Sequence, residues 1–172
     1  AQQVAERIGT SSREMVDQMS DIVWSVDPKN DDAAALGARL RAFAGDMLAT
    51  RNIALDFRTT EAVNERKLSA EQRRNVFLIC KEVLYNTVKY AEAKHVVITM
   101  ATSGRALEIS IVDDGKGFDP QNTDSYNGNG LPNMRIRAEA IRADLVIDSA
   151  PGRGTSVRIT LAQQVFTPRS GD

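Results

Sequence analysis

Three groups of residues in this sequence have the types and spacing to do chemistry. The first is Asp113-Asp114-Gly115-Lys116-Gly117-Phe118, which follows the apolar run Ile109-Ser110-Ile111-Val112. A carboxylate at the end of such a strand points into a partly dry cleft and needs a hydrogen-bond donor there; the exocyclic amine of adenine would serve. Gly115 and Gly117 permit positive φ and let a flat ring approach the backbone closely. The second group is Gly128-Asn129-Gly130-Leu131, ahead of a helical pattern whose first free amides favour a phosphate. The polar stretch between the two glycine turns reads as a lid, and a nucleotide between the turns is the ligand this arrangement suggests. The third group is Glu82, Asn86 and Lys89, spaced so that all three project from one face of a helix. By itself that line is what a solvated helix face looks like.

Taken singly, either glycine turn reads more readily as a plain surface loop, and the specific motifs it could belong to fail. The Asp-Gly turn lacks the acidic alternation and terminal glutamate of a calcium-binding loop. Gly128-x-Gly130 is followed by Asn133 where a dinucleotide fingerprint needs its third glycine, and a Walker P-loop is absent altogether. Cys80 is the single cysteine, so neither an internal disulfide nor a zinc cluster is available, and a reducing compartment is expected. His95 is the only histidine and opens a β-rich run, where a solvent-facing or structural role is expected of it.

The elements that must hold these residues are legible from periodicity. Val4, Ile8, Met15, Met19, Ile22 and Val26 form a narrow helical stripe that wants a partner helix, either in its own domain or, preferably, in another chain or an upstream segment; Asp27-Pro28 ends it at a hinge. Ala33 to Thr50 is a second helix with Leu36, Leu40, Phe43 and Met47 facing the core, followed by a half-buried strand at Ile53, Leu55 and Phe57 and a polar connection over Thr59 to Lys67. Ser69 and Gln72 make a capping box for a long helix running to about Ala93, with Val76, Ile79, Cys80, Val83, Thr87 and Tyr90 as its buried stripe. His95–Met100 and Ala106–Val112 predict an antiparallel hairpin. Leu131, Met134, Ala138 and Ile141 predict a helix of about three turns, and Leu145, Ile147 then Val157, Ile159, Leu161 a closing strand pair. The sum is an α+β, two-layer sandwich: a mixed, mostly antiparallel sheet of about five strands with helices on one face, preceded by a long N-terminal helix. The boundaries fall at residues 1–30 for that helix, 31–162 for the main unit and 163–172 for a frayed tail.

With 172 residues, 42% of them hydrophobic and 26% charged, the chain suits one core of a soluble protein. A formal charge of -1 gives no bias toward nucleic acid or anionic membrane. No apolar run approaches the roughly 20 residues that cross a bilayer. The opening alanine suggests a piece of something longer.

Taken together, four motifs in order resemble the ATPase superfamily that joins histidine kinases, gyrase, Hsp90 chaperones and MutL, built on the Bergerat fold. They are Glu82-x-x-x-Asn86-x-x-Lys89-Tyr90-Ala91, Asp113-Asp114-Gly115-Lys116-Gly117-Phe118, Gly128-Asn129-Gly130-Leu131 and Gly152-Arg153-Gly154-Thr155. Gly130 to Ala138 looks most like the short-lid kinases related to nitrate-responsive and membrane-fluidity sensors. The resemblance implies ATP and Mg2+ as ligands, with Asn86 holding magnesium, Glu82 acting as general base and Lys89 reaching a phosphate. It implies that Asp113 recognises adenine, Gly115 and Gly117 line base and sugar, Gly128, Gly130 and Leu131 hinge the lid, and Thr155 supports the base. Tyr90 stands where many relatives have histidine and is expected to affect packing or lid contact at the ATP site. Ser20 to Pro28 resembles the end of the second helix of a dimerisation hairpin, so the phosphate-accepting histidine is expected on a helix upstream. The implied partners are that helix, a response regulator and a second copy in a full-length homodimer, with a cytoplasmic location and membrane contact only through an absent sensor region. An anti-sigma-type serine kinase and a nucleotide-gated interaction module are the rival readings.

Overall fold

The computed structural model describes residues 19–120 and 130–162. Val4, Ile8 and Met15, the lid glycine Gly128 and the tail 163–172 therefore lie outside the described residues. Helix α1 covers residues 19–26; α2 is Ala33–Ala49, β1 Ala54–Thr59, α3 Ala70–Asn86, β2 His95–Ser103, β3 Ala106–Asp113, α4 Gly130–Ala140, β4 Asp144–Ser149 and β5 Thr155–Leu161. The five strands form one sheet in the order β1-β2-β3-β5-β4, parallel between β1 and β2 and antiparallel elsewhere.

Alternation along the central strands sends Val96, Ile98 and Met100, Leu107, Ile109 and Ile111, and Val157, Ile159 and Leu161 to the buried face. The helices cover that face, α3 lying between α2 and α4. A central helix needs a wide apolar surface, and α3 buries Val76, Phe77, Ile79, Cys80, Val83 and Leu84. Its start is the expected capping box: Ser69 Oγ accepts from Gln72 N at 3.1 Å while Gln72 Oε1 accepts from Ser69 N at 3.0 Å.

Three details differ from the sequence reading. The buried stripe of α2 is Ala33, Leu36, Leu40, Ala44 and Leu48, and Phe43 and Met47 sit on its flank. Phe43 is drawn sideways into an edge-on contact with Phe77, 5.6 Å between ring centres. The connection before α3 is not wholly polar, because a 3-10 turn at Glu61–Val63 buries Val63. The long helix does not run on regularly to Ala93: after Asn86 it widens into a π-helical turn, Thr87–Ala91, closed by Glu92 in the left-handed region at φ 56°.

Helix α1 is divided between two environments. Asp21 is buried and receives Arg39 at 2.6 Å and Lys81 at 3.0 Å. Trp24 tilts against Phe77, with the Arg39 guanidinium 4.6 Å from the Trp24 ring centre. Buried Arg73 donates to the backbone oxygens of Ser25 and Leu68. Own-domain packing thus holds this face, while Met19, Ile22, Val23 and Val26 stay exposed on the other. Removing one member of a buried ion cluster strands its partners, so Asp21→Ala is expected to weaken docking of this segment by about 3 kcal/mol. Trp24 is the only tryptophan, so its emission should shift to the red and its urea midpoint fall; unchanged emission and midpoint would contradict the argument.

Candidate functional site

The cleft lies between α3, the first turns of α4 and the ends of β3 and β5, and takes in about 370 Å³ including its mouth. Val83, Met134, Ile147 and Val157 supply apolar walls, and Asn86, Thr87, Asp113 and Thr155 the polar groups. A mostly apolar slot with a few convergent polar atoms suits a flat heteroaromatic ring better than a sugar or a bare anion.

Asp113 is the organising residue. It is 5% exposed at the last position of β3, opposite Thr155 on β5. Its Oδ1 accepts from Gly115 N at 2.9 Å, and Thr87 Oγ1 lies 3.3 Å from Oδ2. Burial raises its pKa above the ordinary carboxylate value, partly offset by hydrogen bonds from Gly115, Thr87 and Thr155. The neighbouring Asp114 is structural instead, accepting from Lys94 N, His95 N and His95 Nδ1 at 2.8–2.9 Å. Those bonds hold its carboxyl down at about 2 and lock the start of β2 to the end of β3. His95 is consequently an exposed structural partner of Asp114.

The glycines bring backbones into contact. A side chain on Gly115 would sit 2.7 Å from Ala91 Cβ and 2.8 Å from Asp113 Oδ1. Lys116 N also donates to Ala91 O at 2.7 Å, so the loop after β3 seals the end of the π turn. Gly117 has φ 61° and faces the Ala150 and Gly154 carbonyls, a conformation and a closeness that only glycine tolerates. Ser149 Oγ joins this turn to Phe118 N at 2.9 Å and to Gly154 O and Thr155 Oγ1 at 3.0 Å.

Of the residues expected at the site, Asn86, Asp113, Leu131 and Thr155 line the cleft, and Gly115 and Gly117 shape its rim. Glu82 does not line it. Its carboxylate lies against Gly130 at the start of α4 and borders a neighbouring groove with Lys81, Asn133 and Arg137. Met134 forms part of both walls. Lys89 is exposed with its Nζ 5.0 Å from the Tyr90 ring centre, and the Tyr90 side chain raises its pKa; neither residue lines the cleft. Thr87, Ala91, Phe118 and Ile147 line the cleft although the sequence reading did not assign them to the site. Thr87 could have been found, since it is a hydroxyl residue inside an otherwise apolar helical stripe.

Residues 71–165, more than half of the chain, match the family of histidine kinase-, DNA gyrase B- and HSP90-like ATPases. The chain belongs to that family. The matched span of this ATPase domain contains the whole cleft just described. Similar solved structures are a blue-light activated histidine kinase of Erythrobacter litoralis EL346, at 22% identity and TM-score 0.66 over 91% of this chain and 49% of that one. The histidine kinase domain of the same protein matches at 24% and 0.59, over 74% of this chain and 60% of that one. The histidine kinase AdeS of Acinetobacter baumannii matches at 13% and 0.66, over 92% and 83%. At these identities the likeness establishes a shared fold, and the chain spans about half to three fifths of the two Erythrobacter chains. No helix among the described residues of this ATPase domain is long and apolar enough to cross a membrane.

Proposed function

We propose that this chain is the ATP-binding catalytic domain of a two-component sensor histidine kinase. In this reading it passes the γ-phosphate of ATP to a histidine on a dimerisation helix, for onward transfer to a response regulator. The observation that carries the reading is the pairing of a buried carboxylate, Asp113, with the amide of Asn86 across one small, mostly apolar cleft. Asp113 would accept the adenine amine, Gly115 and Gly117 would let the ring lie against the backbone, and Thr155 would support it. Leu131 and Gly130 would serve the lid, with Gly128 as its other hinge. Lys89 would have to leave Tyr90 to reach a phosphate, and Tyr90 would then face the lid.

The donor set fits magnesium in one way. Among the described residues no three His, Cys, Asp or Glu side chains cluster. Asn86 would therefore hold the ion through its amide oxygen together with the phosphates, in keeping with the few protein ligands magnesium takes at nucleotide sites. When bound, magnesium neutralises charge on the transferring phosphoryl group. Glu82, one turn before Asn86, would act as the base toward the acceptor imidazole. The full-length kinase would be a homodimer with this domain in the cytoplasm.

The test is direct. Mixed with Mg-ATP and a separately supplied histidine-bearing helix hairpin, the chain is expected to bind nucleotide and to place acid-labile phosphate on that histidine. Alone it should bind ATP without labelling itself. ATP binding with no transfer would make it a nucleotide-gated interaction module, and acid-stable phosphoserine on a protein partner would make it a serine kinase of the anti-sigma type.

A further inference from the structure

The hydroxyl of Thr87 is a buried polar group that the proposed mechanism does not use. Thr87 is 2% exposed and lies at the first position of the π turn. Its Oγ1 is 3.1 Å from Val83 O and 3.3 Å from Asp113 Oδ2. A hydroxyl has one proton, so the two acceptors compete for it. Val83 O is already supplied by the Thr87 backbone N–H, which is shared between Leu84 O and Val83 O. The carboxylate is the stronger acceptor, because a bond to an ionised group is about twice as strong as a neutral one. The proton therefore belongs on the side of Asp113.

The backbone explains how the hydroxyl gets there. A π turn carries an extra residue per turn and re-aims the side chains it holds, and such turns recur at functional sites. Here both Asn86 and Thr87, adjacent in sequence, line the same cleft. The far end of the turn is fixed by the contact of Gly115 with Ala91 and by the bond from Lys116 N to Ala91 O. Asp113 is thus gripped at Oδ1 by Gly115 N and at Oδ2 by Thr87, which leaves only selected lone pairs facing the cleft.

We propose that Thr87 is a positioning and specificity-determining residue, whose hydroxyl fixes the Asp113 carboxylate in the orientation that selects a purine carrying a 6-amino group. The inference rests on the reading of Asp113 as the adenine-recognising residue. A carboxylate held in this way can only accept, so a 6-amino purine gains a hydrogen bond there, whereas a 6-oxo purine presents a second acceptor and is repelled. Without the hydroxyl the carboxylate is free to turn, and the gain from the amine shrinks.

The experiment compares Mg-ATP and Mg-ITP binding by calorimetry for the wild-type chain and for Thr87→Val, Thr87→Ala and Thr87→Ser, with a thermal melt of each. Wild type is expected to prefer ATP. Loss of a buried bond to a charged group predicts that Thr87→Val and Thr87→Ala bind ATP about tenfold more weakly. ITP affinity should stay within about twofold, and Thr87→Ser should restore the ATP preference. An equal loss for both nucleotides would reduce Thr87 to packing and overturn the proposal, as would an unchanged ATP preference. Should wild type itself bind ATP and ITP alike, the reading of Asp113 fails, and that result is distinct from either of the others. A variant that melts early is set aside in favour of the other truncation, since valine and alanine perturb the buried site in opposite ways.

Discussion

Asp113→Asn is expected to abolish measurable ATP binding while leaving the fold intact. The carboxylate sits among donors, Gly115 N, Thr87 Oγ1 and the Thr155 backbone. An amide keeps one oxygen and turns an NH2 either toward those donors or toward the incoming adenine amine. In the first case a buried donor faces a donor; in the second the base loses its acceptor. A lost bond to a charged group together with a stranded donor weakens affinity by about a hundredfold or more. The fold should not follow. Burial raises the Asp113 pKa, so at neutral pH the ionised form is held at a cost to the folded state, and a neutral side chain of the same shape removes that cost. Calorimetry with Mg-ATP and a thermal melt check the two halves separately. Unchanged affinity would sink the adenine-recognition role, and a collapsed melt would show that the carboxylate is needed for the fold itself.

Asp113 also shows why this site was legible in the sequence. A strand end followed by Asp-Asp-Gly-x-Gly needs only local rules: alternation buries the strand, its final carboxylate goes inward, and glycine marks the close approach. The hairpin, the capping box at Ser69 and the closing strand pair were readable on the same terms. What escaped was decided by distant neighbours. The α2 stripe runs through Ala33 and Ala44, small residues that a hydrophobicity pattern undervalues, while Phe43 was pulled aside by Phe77. The π turn ends at Ala91, whose carbonyl accepts from Lys116 N far along the chain, and no helical propensity encodes that bond. No local pattern marks Arg73 or Asp21 as buried, because each finds its compensation on another element: Arg73 on the backbone oxygens of Ser25 and Leu68, Asp21 on Arg39 and Lys81.

For Glu82→Gln the expectation is a split: nucleotide affinity within about twofold of wild type, but phosphotransfer in the complete kinase lower by the roughly 10²- to 10⁴-fold that a positioned base typically contributes. The geometry supports the split. Glu82 stands one turn before Asn86 but turns away from the cleft lined by Asp113, toward Gly130 and a groove bordered by Asp21, Lys81 and Arg137. It can therefore be neutralised without touching the residues that line the cleft. The groove lies between that cleft and α1, sharing Met134 with the one and Asp21 with the other. A structural role makes a different prediction, because a carboxylate at the start of α4 also favours that helix electrostatically by roughly 0.3–1 kcal/mol. Glutamine keeps the volume and the hydrogen-bonding oxygen while losing only the charge, so a structural Glu82 would lower the melting temperature slightly and leave the transfer rate nearly intact. A large rate loss with an unchanged melt and unchanged ATP affinity is what base catalysis alone produces. Full transfer activity in Glu82→Gln would assign the carboxylate to anchoring α4 and move the search for the base to another group on the same groove.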